Sequence, residues 1–131
     1  MLSPYRVLDL TDERGFLCAK ILGDLGADVI KIEQPGGDPS RGIGPFYHDI
    51  PHSERSLYWF AYNANKRGIT LNIKTPQGKE ILKQLVKRAH FIVESFTPGY
   101  LDNLKLGYKA LNEINPQIIL TSITPFGQTG P

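Results

Sequence analysis

Two short apolar runs close together constrain this chain more than any other feature. Arg6–Leu10 (RVLDL) and Asp28–Glu33 (DVIKIE) each read as a buried strand, and the stretch between them reads as a helix. Thr11 and Asp12 offer side-chain oxygens where that helix could begin. Leu17, Cys18, Ile21, Leu22 and Leu25 follow on what the spacing predicts to be one buried face, with Gly26 suited to the C-terminal end. Strand, helix and strand in such short order make a βαβ unit, whose strands are parallel because a hairpin cannot join them.

The pattern then breaks and resumes. Gln34 to Ser56 holds four glycines and four prolines, with His48 and His52 and no clear period. An irregular segment of this length usually carries function or moves. Gly68–Ile73 (GITLNI) reads as the next strand. Thr75 suits an N-cap and Pro76 a first helical position, with Ile81, Leu82, Leu85, Val86 and Ala89 on the predicted buried face. Phe91–Val93 is a further strand, Pro98–Leu104 and Tyr108–Ile114 are short helices, and Ile118–Ile123 (IILTSI) is the last strand. Five strands alternating with helices predict an α/β fold with a doubly wound parallel sheet. A length of 131 residues suits one such core, so residues 1–131 are taken as a single domain.

Composition narrows the function. A formal net charge of +2 does not mark a nucleic-acid or membrane surface. Cys18 is the one cysteine, which excludes an intrachain disulfide and suits a small buried apolar residue. No apolar run approaches the roughly 18 residues of a membrane span, and the N-terminus lacks a signal-peptide layout. The expected compartment is the cytoplasm.

In an open parallel sheet, ligands lie beyond the carboxyl ends of the strands, which directs attention to Thr11–Gly15, Glu33–Arg41, Glu94–Gly99 and Thr124–Pro131. The first of these lacks G-x-G-x-x-G, so a dinucleotide pyrophosphate could not approach its backbone closely. Asp12 and Glu13 there suit the positive end of a helix dipole. Asn63–Arg67 (NANKR) sets two cations beside Tyr58, Trp59, Phe60 and Tyr62. Cations can hold phosphates and aromatic walls can hold a base, which suits a nucleotide-like ligand; an ordinary solvated loop fits the composition equally. His48 and His52 have Pro51 between them and no cysteine nearby, so they read as loop residues and no metal is expected. Glu94 could be a site carboxylate or a loop anchor.

Four segments in order, RVLDLTDERG…LGDLGADVIKIEQPGGDPSR, NANKRGITLNIKTPQGKEIL, FIVESFTPGYLDNLKLGY and INPQIILTSITPFGQTGP, resemble the family III CoA transferases. That group includes formyl-CoA and carnitine CoA transferases and 2-methylacyl-CoA racemase. The resemblance covers nearly the whole chain. It implies a Rossmann-like large domain of which these residues are the N-terminal part, full-length members about three times longer, and interlinked homodimers. It implies coenzyme A or acyl-CoA as substrate, a carboxylic acid as acceptor, and an aspartate nucleophile that passes through mixed-anhydride and thioester stages. By the resemblance that aspartate lies beyond Pro131, so no catalytic residue is assigned within the chain.

Residue by residue, the resemblance carries CoA-holding roles to Asn65, Lys66 and Arg67, with Lys66 the expected phosphate contact, and to Ser95 and Phe96, with Phe96 a wall for adenine or pantetheine. It carries an active-site loop to Gly127, Gln128, Thr129 and Gly130. Gln34, Thr97 and Asn103 stand where many members have arginine, and Lys105 where glycine is common. Arg14 and Arg41 are the candidate replacement cations. The expected function is thus the CoA-binding portion of an acyl-CoA:carboxylate CoA transferase, complemented by a partner copy or a C-terminal part. The alternatives are a non-catalytic CoA- or nucleotide-binding module, or a protein-interaction module whose apolar edges drive self-association.

Overall fold

The computed structural model describes residues 1–129. Its strands are β1 (Arg6–Leu10), β2 (Asp28–Glu33), β3 (Arg67–Thr70), β4 (Phe91–Glu94) and β5 (Ile119–Ser122). Its helices are α1 (Phe16–Asp24), α2 (Leu57–Asn63), α3 (Pro76–Val86), α4 (Tyr100–Asn103) and α5 (Tyr108–Ile114). The strands form one sheet in the order β3-β2-β1-β4-β5, and every neighbouring pair is parallel. The chain winds outward from β1 to β3, then crosses to β4 on the other side of β1. The strand order therefore reverses between β1 and β4, where such sheets open a crevice at their carboxyl edge.

Side-chain alternation along the strands builds a core on each face. Leu8, Leu10, Ile30, Ile32 and Ile92 meet Leu82 and Val86 of α3 and Leu111 of α5. Val7, Val29 and Val93 meet Ala19 of α1 on the opposite face. Each fully buried Leu or Val contributes about 1.5–3 kcal/mol. Helices on both faces make the sheet doubly wound, as the alternation of elements predicted. No helix among the described residues is long and apolar enough to cross a membrane.

Three local details emerge: the first and third correct expectations, and the second fills a stretch to which no element was assigned. First, α1 starts at Phe16, with Gly15 at its N-cap and no side-chain cap. Its phase is set by Phe16, which is fully buried and packs edge-on against Trp59 at 5.5 Å between ring centroids. The buried positions are Phe16 and Ala19, while Leu17, Ile21 and Leu25 are 54%, 48% and 41% exposed. Second, the aromatic stretch 57–63 is a helix, because Ser56 Oγ caps it by accepting from the Trp59 amide at 3.0 Å. Third, β3 ends at Thr70, although Leu71 and Ile73 remain buried beyond it. On α3, likewise, Ile81 is half exposed while Leu82 and Val86 carry the contact.

The segment between β2 and α2 folds into two short 3-10 turns, Pro39–Gly42 and Tyr47–Asp49. It is tied down at its base. Arg41 donates from Nε and Nη2 to the two Glu33 oxygens at 2.7 and 2.8 Å and lies 4.1 Å from the Trp59 ring centroid. Ser56 Oγ also donates to the Ile43 carbonyl at 2.6 Å.

Candidate functional site

A cavity of about 200 Å³ opens at the carboxyl edge of the sheet. Four connections supply its walls: the loop after β1 (Thr11, Asp12), the end of β2 with Gln34 and Asp38, the exit from β3 (Leu71–Lys74), and the loop after β4 (Ser95, Phe96). Leu10, Ile32, Leu71, Ile73 and the stacked pair Phe96–Tyr100, with centroids 4.6 Å apart, make the walls largely apolar. Polar groups sit around them, and Lys74 is the one cation among the described lining residues. An apolar slot with a few convergent polar groups is the usual form of a small-molecule site.

Hydrogen bonds fix the rim. The Phe96 amide donates to Glu94 Oε2 at 2.7 Å, so Glu94 anchors the turn that presents Phe96. Asp12 Oδ1 accepts from Ser95 Oγ at 2.8 Å, and Arg14 Nη2 donates to the Ser95 carbonyl at 2.7 Å. These contacts close the crevice between the β1 and β4 loops. Burial opposes ionisation of Asp12, but the Arg14 and Ser95 hydrogen bonds outweigh it and hold the carboxyl below its ordinary range. Glu33 follows the same balance: burial raises it, and the Arg41 pair with the Asp38 amide brings it below its usual value.

Behind the cavity, on the α1 face, lies a buried charge cluster. Asp9 and Lys31 are register partners on β1 and β2, and both are buried. Lys66 Nζ donates to Asp9 Oδ2 at 2.8 Å, to Asn63 Oδ1 at 2.9 Å and to the Phe16 carbonyl at 3.1 Å. Lys31 Nζ donates to the Thr11 carbonyl and lies 3.7 Å from Asp9 Oδ1. Burial pushes the Lys66 ammonium below its ordinary pKa, against the pull of Asp9.

The sequence-predicted residues thus divide. Ser95 and Phe96 line the cavity. Arg14 stands at its rim, engaged with Asp12 and Ser95, and Arg41 lies within the 34–56 segment, engaged with Glu33. Asn65, Lys66 and Arg67 are placed elsewhere. Asn65 Nδ2 donates to Asp24 Oδ1 and the Lys20 carbonyl at the end of α1. The Lys66 side chain is fully buried on Asp9. Arg67 pairs with Asp28 at the amino ends of β3 and β2, the opposite edge of the sheet. A lysine beside a buried aspartate is drawn inward because an unpaired buried carboxylate is costlier than a paired one. Gly127 has φ +83°, and Gln128 lines a second, polar cleft with Glu94, Tyr108 and Ser122. Gly130 lies outside the described residues.

The sequence reading did not single out Leu71, Asn72, Ile73 and Lys74, which line the cavity. The signal was present, since these residues follow β3 and ligands gather beyond carboxyl ends. The resemblance directed attention instead to Asn65, Lys66 and Arg67, before β3 and at its start, and these do not line the cavity.

Comparison with known proteins gives one answer. The sequence profile of CoA-transferase family III matches residues 2–131. The chain is 45% identical over 129 residues to succinyl-CoA:(R)-benzylsuccinate CoA-transferase subunit BbsE of Thauera aromatica, covering 98% of this chain and 32% of that protein. It is 44% identical to the succinyl-CoA:glutarate CoA-transferase of Homo sapiens, covering 99% of this chain and 29% of that one. A crystal structure of a CAIB/BAIF family protein from Brucella suis superposes with a TM-score of 0.88 at 43% identity, covering 97% of this chain and 34% of that chain. The chain thus spans about a third of the length of the relatives it matches. With a profile match across nearly all its residues and a doubly wound sheet shared with solved relatives, the chain belongs to CoA-transferase family III.

Proposed function

We propose that this chain is the CoA-holding portion of an acyl-CoA:carboxylate CoA transferase and is not catalytically complete alone. The observation that carries the reading is the apolar slot at the carboxyl edge, walled by Phe96, Tyr100, Leu71 and Ile73 and rimmed by Lys74. Its volume, about 200 Å³, is below the ~300–1,000 Å³ that encloses a drug-sized ligand. It therefore suits one end of coenzyme A, with the adenine against Phe96 and a phosphate on Lys74. Base stacking on an aromatic side chain contributes about 1–3 kcal/mol.

The two aspartates lining the slot are already engaged. Asp12 accepts from Arg14 and Ser95, and Asp38 Oδ1 accepts from the Ser40 amide at 2.9 Å and its hydroxyl at 2.5 Å. A carboxylate so occupied makes a poor nucleophile, which supports a transferring aspartate supplied from outside these residues. The acyl-CoA donor, the acceptor acid and a second subunit belong to the same proposal. Lys66, on Asp9, and Arg41, on Glu33, act in it as supports of the slot rather than as phosphate ligands, and Asn65 and Arg67 lie away from it.

Titration with coenzyme A followed by thermal unfolding tests the reading. Coenzyme A at millimolar concentration should raise the unfolding temperature, and both Phe96→Ala and Lys74→Ala should reduce that rise. No shift with the unaltered chain would refute CoA holding. Transferase turnover by the 131-residue chain would refute its incompleteness.

A further inference from the structure

The peptide joining Thr11 to Asp12 is gripped at both ends by side chains from other strands. Lys31 Nζ, on β2, donates to the Thr11 carbonyl. The Asp12 amide of the same peptide donates to Ser95 Oγ, after β4, at 2.8 Å. Ser95 Oγ in turn donates to Asp12 Oδ1 at 2.8 Å. Thr11 is held separately, its amide and hydroxyl donating to Asp9 Oδ1 at 2.9 and 2.6 Å. Thr11, Asp12, Ser95 and Phe96 line the cavity, whereas Lys31 is 2% exposed and does not.

Charge alone does not explain Lys31. Asp9 already has a matched partner in Lys66 at 2.8 Å, so Lys31 is a surplus buried ammonium. A well-packed apolar residue in its place would commonly fold as well or better. Its hydrogen bond among the described residues goes to the Thr11 carbonyl. A cation on that carbonyl polarises the peptide and strengthens the donation from the Asp12 amide.

We infer that Lys31 is a positioning residue for the carboxyl-edge cavity: through the Thr11–Asp12 peptide it fixes Ser95, and with it the Phe96 wall, across the crevice between β1 and β4. The inference rests on the proposed CoA reading of that cavity. A wall ordered before binding spares the ligand the entropy of ordering it.

Lys31→Met separates this role from a structural one, because it removes the surplus charge and leaves the Asp9–Lys66 pair. The expected result is threefold. The thermal midpoint stays the same or rises. Hydrogen exchange at the Asp12 amide, read by NMR, speeds at least about tenfold while β-core amides keep their rates, and coenzyme A binds about tenfold more weakly. Ser95→Ala should weaken coenzyme A similarly, and the double variant should lose little more than either alone, because both act through one peptide. Unchanged Asp12 exchange, additive losses, or exchange that speeds throughout the core would each overturn the inference. Should Lys31→Met not fold, Lys31→Gln, a neutral donor of shorter reach, is read by the same criteria. If the unaltered chain binds no coenzyme A, the proposed function fails. Asp12 exchange then decides the positioning role alone: faster exchange supports it and unchanged exchange refutes it.

Discussion

Asp9 balances two buried ammonium groups, and that makes it the residue whose loss costs most. Asp9→Asn would leave Lys31 and Lys66 facing each other without a counter-charge near the Phe16 ring, which lies 5.0 and 5.3 Å from them. Breaking a buried ion pair by removing one partner typically costs about 3–5 kcal/mol. Urea unfolding should show a loss of that order for Asp9→Asn and no loss for Lys31→Met. Glu33 gives a pH-dependent counterpart. Its folded pKa lies below the ordinary value of 4.5, so the Arg41 pair adds stability that is fully present above that pH. The contribution is lost as pH falls through the folded value. Glu33→Gln should therefore unfold at lower temperature than the unaltered chain at pH 7, and the gap should narrow as the pH is lowered well below 4.5.

At the scale of elements, the start of α3 meets the cavity. Thr75 Oγ1 caps the helix by accepting from the Gly78 amide at 3.0 Å. A Cβ on Gly78 would lie 1.8 Å from the Asn72 carbonyl oxygen, so the helix can approach the β3 exit this closely only with glycine there. Asn72 lines the cavity. Gly78→Ala should destabilise by about 1–3 kcal/mol, as overpacking usually does, and should also weaken coenzyme A by displacing the cavity floor. Calorimetric unfolding with and without coenzyme A separates the two effects. The N-cap of α2 has no such link to the cavity. Ser56→Ala should cost about 1 kcal/mol, with coenzyme A affinity nearly unchanged.

At the scale of the molecule, one apolar surface left exposed among the described residues is the outer stripe of α1 and its C-terminal cap. Leu17, Ile21 and Leu25 lie four residues apart along it and are about half exposed, and Leu57 and Phe60 of the adjoining α2 are 41% and 42% exposed. An apolar patch of this kind marks a surface that associates. The chain covers 29–32% of the curated relatives described above, so relatives of full length have far more chain with which to cover such a stripe. The 131-residue chain should self-associate in a concentration-dependent way by sedimentation velocity, and Ile21→Glu should shift it toward monomer. A compact monomer at high concentration would contradict this.

The sequence by itself determined the β1–α1–β2 unit, the ends of both its strands, the parallel doubly wound class and the family. The elements and the class rest on local periodicity and turn chemistry, which neighbours in sequence carry, and the family rests on the resemblance of four ordered segments. That the segment Glu94–Gly99 reaches the ligand-side edge was legible too, because a strand's carboxyl end can be located from the strand alone. The tertiary structure decided the rest. Which face of α1 is buried depended on Phe16 meeting Trp59, a contact between residues far apart in the chain. Whether Lys66 meets a ligand or the interior depended on Asp9, which no local pattern connects to it. The cavity itself is built from four connections separated by dozens of residues, and only the parallel packing of four strands brings Asp12, Gln34, Lys74 and Phe96 to one edge.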